Sequence, residues 1–340
     1  MPPPDRPRFA VIEPGTVRRI PLAPHEMTAR ITPAEQIFTL AHFGLGQIRP
    51  VDWCLRLEGM VERPLRLDLD DLRHFPHATI EAVHQCAGNP LQPAVPTHRV
   101  AAVVWGGVRL ADVLGAARPA AGGKFVWSDG ADAGEFGGVS AEFFRKDLPL
   151  GRVAEDVLLA TEVNGEPLPD PHGGPVRLVV PGFYGTNSVK WLWRMTLTDR
   201  RADGLFTTRF YSDTLADGSR SPVWALDPGS IIVTPAPGAR VSGPTEITGW
   251  AWADHPVESV AVSGAPGDCE PGHGEPLRWQ EALLEPRRAR TWQRWRYLWR
   301  PRGRGPATLC CRARDTAGAT QPESGSRNAW HAVEVTAAAT

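Results

Sequence analysis

Proline and glycine interrupt this chain throughout, 34 of each in 340 residues, and that punctuation limits what it can build. Proline removes a backbone donor and glycine weakens a helix, so short strands and turns are expected in place of long helices. A helical bundle is excluded on that ground. The length leaves room for two domains with separate cores. A hydrophobic share of 42% with a charged share of 22% fits a globular chain and excludes wholesale disorder.

The formal net charge is -1, so no overall field draws the chain to nucleic acid or to an anionic membrane. The balance is uneven, because Arg287 to Arg314 holds ten arginines and no acidic residue. Trp292, Trp295 and Trp299 lie in that run, and cations mixed with aromatics can bind single strands. No helix-turn-helix or RNA-binding signature accompanies them, so the reading taken is a solvated strand face or a subunit interface, with no nucleic acid. Lysine occurs only as Lys124, Lys146 and Lys190, so arginine use is partly a general bias. No stretch approaches the roughly 20 apolar residues that span a bilayer. No leader opens at Met1, so the expected compartment is cytoplasmic, although a trimmed exported form would look the same.

Three regions are expected. Residues 1 to 50 read as an extended arm that opens the catalytic domain, with a short helix starting at Thr32 as cap, Pro33 in the first turn and Glu35 after it. Residues 51 to 227 read as a mixed domain with strands over 53–59, 79–86, 99–105, 124–128, 157–163 and 176–182. Asp68 caps a short helix, Gly106 and Gly107 form a turn, and Val108 to Leu114 is helical. From residue 228 to 340 short alternating strands with turns point to a β-sandwich. The fold class is α+β.

The chemistry gathers at His84 Gln85 Cys86 Ala87 Gly88 Asn89, then at His172 to Arg177, and then at Gly185 to Trp191. A free cysteine is more often a buried small hydrophobe than a ligand. The five cysteines, Cys54, Cys86, Cys269, Cys310 and Cys311, show no paired CxxC spacing, which argues against a zinc or iron-sulfur centre. Gly182 and Gly185 allow an anion-binding turn, with Ser188 and Lys190 as donors, but the pattern is neither a Walker loop nor a dinucleotide fingerprint. His42 alone reads as a hydrogen-bonded core histidine. Asp129, Asp132 and Glu135 do not fit a calcium loop and read as a plain solvent turn. A Cys86 nucleophile paired with His84 or His172 lacks an orienting third residue.

In combination these segments resemble the sulfite-oxidase family of molybdenum enzymes. The resemblance runs from Cys86 Ala87 Gly88 Asn89 through Trp105 Gly106 Gly107 Val108 Arg109 Leu110 and Asn164 Gly165 Glu166 Pro167 Leu168 Pro169. It continues through His172 Gly173, Pro175, Arg177, Pro181 Gly182, Gly185 and Val189 Lys190 Trp191, and ends at Asn328 Ala329 Trp330 His331. It implies a sulfite-oxidase-type molybdopterin-binding domain followed by an immunoglobulin-like sandwich that serves dimerisation. It also implies that Cys86 is the one protein ligand to molybdenum, whose other sulfurs come from one molybdopterin. His42, Asp129, His172, Arg177, Ser188 and Lys190 are the implied holders of the pterin or its phosphate.

The departures bear on substrate. Sulfite-oxidising relatives carry Arg and Asn before the histidine, where this chain has Leu40 and Ala41. They carry two arginines after the Cys-Ala-Gly-Asn segment, where it has Pro90 and Leu91. Their active-site tyrosine becomes Phe136, a pocket position that can neither give nor take a proton. The expected activity is oxygen-atom transfer on a small substrate other than sulfite. The alternatives are a noncatalytic molybdopterin-binding or structural protein, and a sulfite oxidase with a rearranged pocket. No haem or flavin signature appears, so a separate electron-transfer partner is expected, together with a possible homodimer through the C-terminal domain.

Overall fold

The computed structural model describes residues 6–88, 99–265, 278–301, 303–325 and 327–338. Asn89, Pro90, Leu91 and Cys269 lie outside the described residues. The chain forms two compact units. The first comprises Met1–Arg19, Thr39–Ile80 and Val103–Trp224, and the second comprises Ile20–Phe38, Glu81–Ala102 and Ala225–Thr340. Besides the C-terminal part, the second unit takes in two earlier segments, one of which carries Cys86.

The first unit is built on a five-stranded sheet in the order Arg145–Pro149, Phe125–Gly130, Leu192–Thr198, Leu55–Gly59, Leu65–Leu67. Its central strand, Leu192–Thr198, runs antiparallel to Phe125–Gly130 and parallel to Leu55–Gly59. Trp193, Met195 and Leu197 of that strand are buried while Arg194 and Thr196 are half-buried, the period of two expected of a pleated strand. Leu55, Leu57 and Val126 join them in one apolar core. Helices are few and short. The four α-helices among the described residues are Leu69–Arg73, Leu110–Ala117, Leu150–Val153 and Leu205–Thr208, so sheet dominates more than an α+β class suggests.

Asp68 caps the first helix as its sequence position implies. Its carboxylate accepts from the Asp71 N–H at 2.9 Å, and the Asp71 carboxylate accepts from the Asp68 N–H at 3.1 Å. The turn expected at Gly106 and Gly107 is absent, because both glycines lie inside the strand Val100–Arg109. A Cβ on Gly107 would come within 2.1 Å of the Leu159 carbonyl on the paired strand, so close backbone approach accounts for the glycine there.

In the second unit a four-stranded sheet orders Gly229–Thr234, Thr245–Trp252, Gln293–Trp299 and Leu283–Leu284. A five-stranded sheet orders Arg240–Ser242, His331–Ala338, Gly305–Asp315, Val257–Ala265 and Gln280–Glu281. Ile232, Ile247 and Trp295 from one sheet share an apolar cluster with Val260, Leu309 and Val333 from the other. Alternation along Gln293–Trp299 turns Trp295 and Trp299 inward and leaves Arg294 and Arg296 exposed. Trp292 is also buried, stacked on Trp250 with ring centres 4.9 Å apart. The tryptophans are therefore core residues and give the arginines no stacking platform.

The short helix expected at Thr32 is the single turn Ala34–Gln36, and Thr32 does not cap it. Its hydroxyl instead accepts from the Ala102 N–H at 3.2 Å, and its N–H donates to the Ala102 carbonyl at 2.8 Å. Among the described residues no helix is long and apolar enough to cross a membrane.

Candidate functional site

Arg177 opens the strand Arg177–Val179 and is 3% exposed. Its Nη1 donates to the His172 carbonyl at 3.0 Å and its Nη2 to the Ser188 carbonyl at 2.8 Å, so one guanidinium ties together both ends of the 172–188 segment. Its guanidinium carbon lies 4.9 Å over the Trp105 ring, and its buried Nε has no acceptor. Burial pushes its pKa down to about 9.

Lys190 stands beside it. Its Nζ donates to the Leu40 carbonyl at 2.9 Å and to the Pro171 carbonyl at 3.4 Å, and lies 4.3 Å over the Trp191 ring. Burial lowers its pKa, the neighbouring Arg177 charge lowers it further, and the Asp132 carboxylate raises it in part. Gly173, at φ 101°, leaves the space for this side chain, since a Cβ there would meet the Lys190 Cβ at 2.7 Å. Neither cation forms an ion pair among the described residues. Two desolvated cations with one buried carboxylate near them, that of Asp132, still favour a further anion, and the phosphate of a pterin cofactor fits that need. The buried Thr186 hydroxyl and Asn187 side-chain carbonyl also lack partners, and they suit a phosphate oxygen and a ring N–H respectively.

Ser188 accepts from the Val180 N–H at 3.1 Å through its hydroxyl oxygen, which leaves the hydroxyl proton available to a ligand. His172 is buried beside these groups and supplies the carbonyl that Arg177 grips. His42 is also buried, and its Nε2 shares a hydrogen bond of 2.7 Å with the Tyr211 hydroxyl. Burial, then the positive charges of Lys190 and Arg18, lower its pKa to about 4, so the ring is neutral at ordinary pH. Phe136 meets that ring edge to face, with centres 4.7 Å apart.

Asp129 does not join this cation-rich set. Strand register places Asp129 opposite Arg145 on one neighbour and Arg194 on the other. Arg145 donates to its two oxygens at 2.6 and 3.0 Å, and Arg194 donates to it at 2.8 Å. A carboxylate so enclosed, 1% exposed, has no lone pair directed at a phosphate, and it would repel one. The expected solvent turn is likewise absent, since Asp132 is buried as well. Burial raises the Asp132 carboxyl above its ordinary value, against the pull of Lys190 and Arg6. Thr186, Asn187 and Tyr211 were not singled out from the sequence, and Asp132 was read there only as part of a solvent turn. The apolar flanks of Asp129 and Asp132 were the available signal for burial there. No group of three or more His, Cys, Asp or Glu side chains among the described residues is placed to hold a metal ion.

Cys86 belongs to the second unit and follows the strand His77–Gln85. It is 6% exposed and a free thiol. The Gly88 N–H donates to its Sγ at 3.3 Å, and its own N–H donates to the Arg99 carbonyl at 2.9 Å. The preceding Gln85 is fully buried. Its Oε1 accepts from the Trp252 Nε1 at 2.6 Å, and its amide donates to the Asn328 side-chain carbonyl. Asn328 in turn donates to the Asp227 carbonyl at 3.0 Å. Partners from one strand and two loops thus fix the residue next to the sulfur, as a metal ligand requires of its supporting shell. His84, the other half of a nucleophile pair, is stacked on Phe38 at 5.2 Å.

Residues 42–206 match the model of the oxidoreductase molybdopterin binding domain. The mitochondrial sulfite oxidase of Mus musculus is 32% identical, over 90% of this chain and 61% of its own length. The sulfite oxidase of Gallus gallus is 32% identical, over 88% of this chain and 70% of its own. The chain belongs to the sulfite-oxidase family of molybdenum enzymes. This family member spans about three fifths of the length of the mouse relative. Its fold also matches the crystal structure of the sulfane dehydrogenase SoxCD from Paracoccus pantotrophus, with a TM-score of 0.75 and 29% identity over 90% of this chain and 80% of that one.

Proposed function

We propose that this chain is a molybdopterin-dependent oxidoreductase that performs two-electron oxygen-atom transfer on a small substrate other than sulfite. The observation that carries the reading is the buried Arg177 and Lys190 pair, two cations whose hydrogen bonds go to carbonyls and which have the Asp132 carboxylate as nearby countercharge, in a sulfite-oxidase family chain. When bound, the molybdenum cofactor supplies the two-electron redox chemistry. Cys86 offers the soft sulfur ligand such a metal prefers. Arg177 and Lys190 neutralise phosphate charge, and the Thr186 and Ser188 hydroxyls donate to its oxygens. His42, held neutral, orients a polar group without adding charge. Phe136 closes one side of His42 with a ring that cannot move a proton.

Leu40 and Ala41 bring no cation, and Phe136 brings no phenol. A doubly charged sulfite would lose hydration there with little in exchange, which favours a less anionic or neutral compound such as a sulfoxide or an N-oxide. Metal analysis with dye-linked turnover tests this. The expected result is one molybdenum per chain, a Cys86→Ser variant with an altered metal environment, and activity on sulfoxides or N-oxides. Matured protein without molybdenum overturns the whole reading. Sulfite turnover at ordinary enzyme rates with a micromolar KM overturns the substrate part alone and favours a sulfite oxidase with a rearranged pocket. A second reading, a noncatalytic molybdopterin-binding protein, draws on the phenol-free Phe136. Full molybdenum with no turnover on a broad panel would select it.

Electrons would pass to or from a separate partner, and an immunoglobulin-like C-terminal region would pair two copies. For compartment, Cys310 is disulfide-bonded, and disulfides persist mainly where the surroundings are oxidising. That favours an exported or organellar location over the cytoplasmic one.

A further inference from the structure

We propose that Arg6 is a positioning residue for the cofactor phosphate: it offsets the Asp132 carboxylate and so leaves the Lys190 ammonium to the phosphate. The inference rests on the molybdopterin reading above and adds to it a residue from the N-terminal segment. The strand Ala10–Glu13 runs antiparallel to Leu45–Gln47, with Ala10 against Gln47 and Val11 against Gly46. This pairing brings the residues just before it onto the Lys190 segment. Phe9 meets the Trp191 ring edge to face, with centres 5.0 Å apart. Gly46 leaves the room, since a Cβ there would run into the Phe9 ring. Arg6 then donates from Nη1 to the Glu142 carbonyl at 2.9 Å and from Nη2 to the Ala131 carbonyl. The Ala131 N–H donates in turn to the Trp191 carbonyl at 2.9 Å, so Ala131 links Arg6 on one side to Trp191, the neighbour of Lys190, on the other.

Trp191 has a left-handed φ of 48°, a conformation that a bulky side chain keeps only where its surroundings impose it. Its N–H donates to the Gly173 carbonyl at 3.1 Å and its Nε1 to the Asp170 carbonyl at 3.1 Å, while the Lys190 ammonium lies over its ring. Arg6 and Phe9 reinforce a ring that already seats Lys190. What Arg6 adds beyond that is charge. Both of its hydrogen bonds go to carbonyls, which fix the guanidinium without neutralising it. Among carboxylates its charge acts first on Asp132, ahead of Glu142 and Asp129. Asp132 responds in turn to Lys190 and then to Arg6. A buried carboxylate beside Lys190 competes with a phosphate for that ammonium and repels the phosphate as well. With Arg6 taking up the Asp132 charge, Lys190 and Arg177 together balance a phosphate carrying close to two negative charges. Without Arg6, one of those two charges is spent on Asp132.

The test uses molybdenum-loaded protein in four forms: wild type, Arg6→Met, Asp132→Asn and the double variant. Each is diluted and filtered at intervals, and the cofactor that has left is read as molybdenum by metal analysis and as pterin by fluorescence after oxidation. Arg6→Met should lose cofactor about tenfold faster than wild type. Asp132→Asn should lose it no faster than wild type, and the double variant should stay within about twofold of Asp132→Asn, because no carboxylate is left for Arg6 to offset. A clamp on the Ala131 backbone predicts the opposite, since the charge of residue 132 would not matter to it. A double variant as leaky as Arg6→Met therefore overturns the proposal, and so does wild-type retention in Arg6→Met. If Arg6→Met emerges without cofactor, loading itself is the readout: a double variant that loads supports the proposal, and one that stays empty overturns it. Those failures touch Arg6 alone, whereas wild type without molybdenum overturns the parent reading and this one with it.

Discussion

Two buried charged clusters within the first unit meet burial in opposite ways. Around Asp129 the chain supplies both signs, with Arg145 and Arg194 closing on one carboxylate from neighbouring strands. Around Arg177 and Lys190 it supplies two cations, carbonyls and the single carboxylate of Asp132, with orphaned atoms on Arg177, Thr186 and Asn187. A cluster complete in itself holds strands together. A cluster left short of an anion is poised for a ligand, because no stable interior keeps uncompensated charge without another use for it. The two sets are close in composition, so the distinction lies in which partners the fold places within reach.

The sharpest way to break that contrast is to exchange the expected effects. Asp129→Asn leaves two guanidiniums facing a neutral amide and should lower stability by about 3 to 5 kcal/mol, seen as a reduced denaturant midpoint in cofactor-free protein. Arg177→Met should instead leave the cofactor-free protein about as stable as wild type while cutting molybdenum retention tenfold or more on the scale of one charged hydrogen-bond pair. If Arg177→Met destabilises as strongly as Asp129→Asn, both clusters are structural.

The pH dependence offers a somewhat smaller handle. His42 has its pKa lowered to about 4 from 6.5, so above 6.5 it is neutral in both folded and unfolded chains. As pH falls from 6.5 toward 4 the unfolded chain takes up a proton that the folded one refuses, and stability drops by up to about 3 kcal/mol. His331 in the second unit has its pKa lowered to about 4 by burial, and its Nδ1 accepts from the Ile232 N–H at 2.9 Å. Both histidines therefore favour acid unfolding. Phosphate bound beside Lys190 should offset only the His42 share, because added negative charge eases protonation there. Urea midpoints at pH 7 and pH 5, with and without cofactor, separate the two, and an equal acid loss in both states would remove His42 from the ligand cluster.

Lys190→Met sharpens the comparison further. Replacing a buried cation that only the Asp132 carboxylate offsets with an apolar chain of similar length should stabilise the cofactor-free protein by about 1 to 2 kcal/mol at neutral pH while weakening cofactor retention. The Asp132 carboxyl, already raised by burial, can take up a proton in response. The gain should shrink as pH rises, because the lowered pKa of Lys190 lets the folded chain shed the proton before the unfolded chain does. Thermal midpoints at pH 7 and pH 9.5 measure it.

Sequence pattern exposed the strands well where β-branched runs ended at glycine or proline, as at Arg177–Val179 and across Val257–Ala265. It also exposed the Asp68 cap, since capping acts within one turn. The central strand Leu192–Thr198 escaped because its alternating residues directly follow the Lys190 and Trp191 motif, which drew them into a binding segment. The fate of Asp129 was hidden for another reason. Only strand register brings Arg145 and Arg194 against it, and register is a long-range property. Tyr211 and Arg6 were silent in the same way, since neither lies near its partner in local pattern.

The smallest expected effect concerns Tyr211. With His42 neutral, the phenol can donate to Nε2, which places the ring proton on Nδ1 and gives the pocket a fixed donor in place of the phenol missing at Phe136. Tyr211→Phe removes one buried hydrogen bond and should cost about 1 kcal/mol of stability, a loss that by itself would say little about function. The tautomer separates the possibilities. Long-range proton-nitrogen correlation spectra of labelled histidine should show His42 protonated at Nδ1 in wild type and distributed between both nitrogens in Tyr211→Phe. A wild-type ring protonated at Nε2 would mean that His42 donates to Tyr211. The histidine would then belong with the Asp129 triad, as a group whose needs the fold has already met.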